Sequence, residues 1–282
     1  MISFNIWMNK FIFDFTIIVS YNFNKLEALM EKVLIYGWGS SLHLGIPEVN
    51  EGLVNLFKKM KVDYAIHEDE ATCAEGLSGL GYNDELIQIA PKIKEKIEKA
   101  VEKHGISVIV TPFAASYYGW NYTLKKEGFE LPVPMVHISQ YLYDNLPKLH
   151  FKEYKKRVLI HDGCRLGRYA GVVKEPREVL KAIPSLELLE IHHPELEVGA
   201  RNLKPWDMSP CPGGWLEITM QPLMKHVAKN VIDRYVMPEE PDIVTSTCAN
   251  GYHAFKAGKE YGGHNIEVKF FSNIVEEALL EE

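Results

Sequence analysis

The chemistry open to this chain centres on its four cysteines, Cys73, Cys164, Cys211 and Cys248. Thiolates are soft ligands for iron and zinc, and they are the nucleophiles of disulfide exchange. Cys164 follows the β-branched run 158–161 and Cys248 follows the run 242–245. Both therefore fall at carboxyl ends of expected strands, the edge where open α/β sheets build their sites. Cys211 lies in Ser209-Pro210-Cys211-Pro212-Gly213-Gly214, a loop before an expected helix, where free backbone amides favour a thiolate or a cluster sulfide. A single free cysteine is ordinarily a small buried apolar residue. Three in matching topological positions are expected to converge on one site. Beside them, His161 is a candidate proton donor to a leaving thiolate, or else a hydrogen-bond partner for the loop carrying Cys164. Arg165 and Arg168 are candidates to offset the charge of a thiolate-ligated group or to hold an acidic substrate.

Such residues converge only if the elements around them repeat in an ordered way. Short β-branched runs at 33–36, 62–66, 107–111 and 133–137 alternate with stretches of helical periodicity such as 83–103. The second half repeats the alternation, with runs at 158–161, 186–191, 242–245 and 266–270. Its helical stretches fall at 177–182, 216–235, 252–261 and 273–281. This order predicts βαβ units and parallel sheets. The expected fold class is α/β, built as two similar lobes, residues 30–150 and 151–282, joined through the Pro-containing, Lys-rich stretch 146–156.

Residues 1–29 differ from the rest. The segment 11–23 is apolar and aromatic, but Asp14 interrupts it and it is shorter than the roughly 20 residues a helix needs to cross a bilayer. A single Lys10 precedes it and no small-residue cleavage site follows, which argues against a signal peptide. The segment reads as an N-terminal extension upstream of Met30, with a peripheral membrane anchor as the other reading, and no transmembrane span is expected.

Composition removes several classes. A formal charge of -7 over 282 residues leaves no basic face of the kind nucleic acid requires. Four widely spaced cysteines do not make a secreted disulfide framework, and a reducing cytoplasm is the expected setting. Gly37-Trp38-Gly39 lacks the third glycine of a dinucleotide loop and places a large ring in its crowded turn. Neither a P-loop nor a serine nucleophile elbow is present. His192-His193, His226 and His253 lack metal-ligand spacing, and Trp38, Trp120, Trp206 and Trp215 read as core or interface aromatics.

One segment carries a resemblance. His161-Asp162-Gly163-Cys164-Arg165-Leu166-Gly167-Arg168 resembles the histidine-aspartate-proline-cysteine-x-leucine-glycine-arginine signature of CCG-domain proteins, and Glu175-Pro176-Arg177-Glu178-Val179-Leu180 resembles the helix that follows it. That family includes the B subunit of heterodisulfide reductase, the C subunit of anaerobic glycerol-3-phosphate dehydrogenase and lactate-utilisation iron-sulfur proteins. Its members carry a duplicated motif: one cysteine, then a cysteine pair before glycine, then cysteine-x-x-cysteine. The second copy here retains Cys164, Cys211 and Cys248. In the first copy Ser40, Phe113 and Ser116 stand at cysteine positions, and Cys73 remains beside Ala74.

The resemblance implies a duplicated CCG fold and a redox protein similar to the B subunit of heterodisulfide reductase. Its iron-sulfur cluster would rest on Cys164, Cys211 and Cys248, with Cys73 as a further ligand only if the halves face each other closely. Electrons would pass to a thiol, disulfide or persulfide inside a complex with flavin and ferredoxin-like subunits. The alternative is a cluster-free scaffold subunit whose cysteines are inherited or hold zinc.

Overall fold

A computed structural model describes residues 31–67, 74–192 and 209–281. The N-terminal extension, Cys73, His193 and Trp206 lie outside the described residues.

Eight strands form where the β-branched runs predict them. β1 (Lys32–Ile35), β2 (Asp63–Ile66), β3 (Val108–Thr111) and β4 (Met135–His137) make one parallel sheet in the order β2-β1-β3-β4. β5 (Arg157–His161), β6 (Glu187–Glu190), β7 (Ile243–Ser246) and β8 (Glu267–Phe270) make a second parallel sheet in the order β6-β5-β7-β8. The central strands are covered on both faces, which is why they read as unbroken apolar runs. Val33, Leu34 and Ile35 are fully buried, as are Val158 and Leu159.

The two sheets share an order, and the order fixes where a site can lie. After β5 the chain crosses to β6 on one side, and after β7 it crosses to β8 on the other. The crossovers diverge between β5 and β7, so their carboxyl ends border a crevice. The same divergence occurs between β1 and β3.

The helices take their places around these sheets. In the first lobe they are α1 (Trp38–His43), α2 (Pro47–Lys59), α3 (Ala74–Gly79), α4 (Asn83–His104), α5 (Ala114–Tyr118) and α6 (Ile138–Asp144). In the second they are α7 (Lys174–Lys181), α8 (Leu216–Thr219), α9 (Gln221–Val231), α10 (Ala249–Gly262) and α11 (Phe271–Ala278). The single helix expected over 216–235 is broken at Met220, whose backbone leaves the helical region at φ -157° and ψ 62°. Pro222 lies in the first turn of α9 and has no N–H to bond back into α8, so the helix restarts there.

One core joins the lobes. Val33, Leu53, Phe57 and Ile138 belong to the same buried cluster as Val158, Leu180, Phe270 and Ile274. The lobes exchange their terminal helices, since α6 packs on α7 and α11 packs on α2. Gly52 permits the second contact: a Cβ there would come within 2.7 Å of the Asn273 side chain. Polar ties reinforce it. Lys59 pairs with Glu276 at 2.8 Å, Asn273 donates to the Glu48 carbonyl at 3.0 Å, and the Tyr252 hydroxyl donates to the Glu48 carboxylate at 2.7 Å. Among the described residues no helix is long and apolar enough to cross a membrane.

Candidate functional site

The crevice between β5 and β7 gathers Cys164, Cys211 and Cys248 around one small cavity of about 20 Å³. Cys164 and Cys248 are half-buried, while Cys211 is exposed at the rim. Ala115 of the first lobe and Gly163, Gly214 and Gly251 of the second complete much of the wall. These small residues are required by close approach. A Cβ on Gly163 would lie 2.6 Å from the Cβ of Cys248, and one on Gly214 would lie 2.8 Å from the backbone of Asn250.

Each thiol has its own electrostatic setting. Cys211 accepts a hydrogen bond from the Cys164 thiol, which outweighs the desolvation of its sulfur by the surrounding loop even though the residue reaches the surface, and the N–H groups of Gly213 and Gly214 and the Arg168 cation assist; its pKa falls to about 6. Gly213 turns these amides inward through a positive φ of 89°. Cys164 is pushed up by holding the shared proton against Cys211, by burial and by the nearby sulfurs. Cys248 is pushed up to about 11 by burial, against the backbone N–H groups of Gly251 and Asn250. It caps α10, so those amides are the first-turn donors that a helix leaves open. Backbone N–H groups aimed at cysteine sulfurs stabilise thiolates and tune thiolate-bound metal groups.

His161 holds the loops together. Its Nδ1 lies 3.1 Å from the Ser246 hydroxyl and its Nε2 lies 3.0 Å from the Pro210 carbonyl. A carbonyl only accepts, so Nε2 carries the proton and Ser246 donates to Nδ1. Ser246 Oγ in turn accepts from the Cys248 N–H at 3.2 Å. Burial lowers the His161 pKa to about 4, and the ring is neutral at physiological pH. Arg168 grips the preceding carbonyl, donating to Ser209 at 2.5 Å. Thus His161 and Arg168 both fasten the loop that carries Cys211, while Arg165 lines the cavity. The Arg165 guanidinium lies 4.7 Å from the Tyr169 ring centre, 5.4 Å from Tyr118 and 6.0 Å from Trp215.

Two contacts explain neighbouring motif residues. Asp162 receives a two-pronged pair from Arg177 at 2.7 and 2.9 Å, and Arg177 also bonds Glu190 twice at 2.7 Å. This buried network anchors the turn after β5 to α7. Gly163 donates its N–H to Thr247 at 3.1 Å, a bond that the proline of the resembled signature cannot make. The sequence reading missed Asn250, Ser246 and Arg177. Two hydroxyl residues directly before Cys248, and an arginine four residues into the helix after the signature, were the available signals.

The corresponding crevice of the first lobe is filled. Phe113 caps α5 and is buried, with Cδ2 only 2.7 Å from where a Gly37 Cβ would stand. Gly37 has φ +101°, a conformation suited to glycine. Ser40 and Ser116 are buried there as well. Among the described residues no three His, Cys, Asp or Glu side chains are placed to hold a single metal ion. The donors themselves fit a thiolate-bound iron-sulfur group: three soft sulfurs, amide hydrogens aimed at two of them, and arginines beside them.

The family comparison matches residues 158–198 to the CCG model, described as a cysteine-rich domain. The D subunit of the dihydromethanophenazine:CoB–CoM heterodisulfide reductase of Methanosarcina acetivorans is 27% identical over 231 residues, covering 79% of this chain and 53% of that protein. The B subunit of the CoM/CoB fumarate reductase of Methanothermobacter marburgensis is 31% identical over 150 residues, covering 52% of this chain and 28% of that protein. An uncharacterized iron-sulfur protein of Methanocaldococcus jannaschii is 27% identical over 153 residues, covering 54% and 29%. The chain spans about half the length, or less, of these curated relatives. Among solved structures, a putative Asp/Glu racemase from Yersinia pestis aligns with TM-score 0.40 and 12% identity, covering 88% of this chain and 96% of that one. The family match begins on β5 and runs through the cysteine turn, so residues 158–198 are similar to a CCG cysteine-rich domain.

Proposed function

We propose that this chain is a redox subunit of the heterodisulfide-reductase type, holding an iron-sulfur cluster on Cys164, Cys211 and Cys248 and serving a thiol, disulfide or persulfide substrate. The observation that carries this reading is the meeting of three thiols in one crevice with backbone amides directed at two of them. Bound there, the cluster would supply one-electron transfer. The chain's own residues do the rest. Arg165 and Arg168 offset thiolate charge, His161 stays neutral and fixes the Cys211 loop, and the glycine walls bring the backbone close. The relatives' names support the type of protein more than its position in a complex, since one is a D subunit and another a B subunit.

Residues 151–282 form the functional lobe in this reading, and 30–150 form a lobe whose ligand positions are filled. Flavin and ferredoxin-like partner subunits and a reducing cytoplasm complete it. A zinc site of three cysteines and one histidine would have to take His161 from one of its two hydrogen bonds. Anaerobic preparation of the full chain, with iron, acid-labile sulfide and zinc measured together, is the test. Stoichiometric iron and sulfide with a brown chromophore are expected. A colourless protein with equimolar zinc would overturn the redox reading in favour of a scaffold role.

A further inference from the structure

The cluster site lacks a fourth ligand among its described walls, and one side chain stands ready for it. A cubane cluster ordinarily takes four thiolates, and this cavity offers Cys164, Cys211 and Cys248. The remaining polar side chains of the wall can be considered in turn. Both ring nitrogens of His161 are engaged. Arg165 is a cation without a lone pair to give. Asn250 lines the same cavity, and its amide oxygen is buried with no hydrogen-bond partner.

The position of Asn250 is fixed from two directions. Its backbone N–H points at the Cys248 sulfur, and its backbone and Cβ press on Gly214, where an added Cβ would meet them at 2.8 and 2.9 Å. It therefore bridges the loop of Cys211 and the cap of Cys248. The next residue, Gly251, stands where the resembled cysteine-x-x-cysteine motif has its second thiol. A Cβ there would lie 2.8 Å from Ser246 Oγ, so that position is closed to a side chain.

We propose that Asn250 Oδ1 supplies the non-thiolate position of the cluster, an inference that rests on the iron-sulfur reading above. A neutral oxygen is a poorer match than thiolate for soft iron sites, so this ligand is exchangeable. The incoming class is a small thiol or persulfide bound as its anion, with its proton released to solvent. That exchange replaces an oxygen contact by a sulfur contact and moves no electrons. Arg165, on the same wall, offsets the added negative charge.

The test is anaerobic reconstitution of the full chain with iron and sulfide, for wild type, Asn250→Ala, Asn250→Cys and Cys73→Ser. The readouts are Mössbauer spectra with and without 2-mercaptoethanol, and iron retained after mild oxidation. In wild type about one iron in four should be spectrally distinct and should shift when the thiol is added. Asn250→Ala should lose that iron readily, falling to about three irons per four sulfides. Asn250→Cys should retain it and no longer respond to 2-mercaptoethanol. If both Asn250 variants match wild type, or if Cys73→Ser alone removes the distinct iron, Asn250 is not the ligand although the cluster is real. If wild type holds no iron, the cluster reading falls and this inference falls with it.

Discussion

Two turns of this molecule share a backbone and differ in the side chain at their centre. Phe113 and Cys248 each follow the third strand of their lobe and each cap the next helix. Both donate their N–H to a hydroxyl two residues back, Phe113 to Thr111 at 3.1 Å and Cys248 to Ser246 at 3.2 Å. Each is followed four residues later by a buried tyrosine, Tyr117 or Tyr252. In one lobe the capping residue drives a ring into the crevice, and in the other it presents sulfur to two amide hydrogens. The strand order and the cap are common to both. What distinguishes a filled crevice from one lined by thiols is therefore carried by the turn side chains and by the loop of Cys211, which has its own grip from His161 and Arg168.

The largest expected effect lies in the network that holds the second turn. Asp162 and Arg177 are almost fully buried, their side chains 4% and 6% exposed. Removing one partner of such a pair leaves a charge uncompensated, so Arg177→Ala should cost about 3–5 kcal/mol in urea denaturation. A cost below about 1 kcal/mol, the scale of an exposed pair, would show that the turn after β5 does not depend on it. Phe113→Ala should come next. It deletes a buried ring at a cost of about 3 kcal/mol, and it should leave iron content as in wild type. If the variant instead gained iron, the filled crevice would be a masked ligand site and the asymmetry between lobes would be shallow.

Smaller effects probe the tie between the lobes. Tyr252→Phe removes a hydrogen bond to the Glu48 carboxylate and should cost about 1–2 kcal/mol by thermal or chemical unfolding. Burial alone would raise the Glu48 pKa, but hydrogen bonds from Lys256 and Tyr252 outweigh it and the net shift is downward. A carboxyl whose folded pKa lies below its unfolded one binds its proton first in the unfolded state. Its contribution is present above the unfolded pKa and is lost as pH falls through the folded one. Stability measured from neutral pH down to below the usual carboxylate range should thus fall less steeply for Glu48→Gln than for wild type. Parallel curves would remove Glu48 from the account of how the lobes are joined.

The strands were legible in the sequence because parallel, doubly covered strands must be apolar along their whole length, as 33–35 and 158–160 are. The convergence of Cys164, Cys211 and Cys248 was legible too, since strand order places two of them at one crevice. The helix break at Met220 was missed because the apolar periodicity continues past Pro222 and masks its effect. Arg177 and Asn250 were missed for another reason. Their roles depend on partners distant in the chain, Glu190 for the first and Gly214 for the second; the helix position of Arg177 marks the residue without naming its partners, and nothing local marks Asn250.

On the proposed reading, the second lobe alone holds the metal. Iron and acid-labile sulfide per chain, measured after anaerobic preparation of wild type and of Cys164→Ser, Cys211→Ser, Cys248→Ser and Cys73→Ser, test it most directly. A neutral hydroxyl is a poor substitute for thiolate, so each of the first three variants should lose most of its iron while Cys73→Ser stays near the wild-type value. If Cys73→Ser loses iron as completely as Cys164→Ser, the lobes share one site and the assignment of the metal to the second lobe is contradicted.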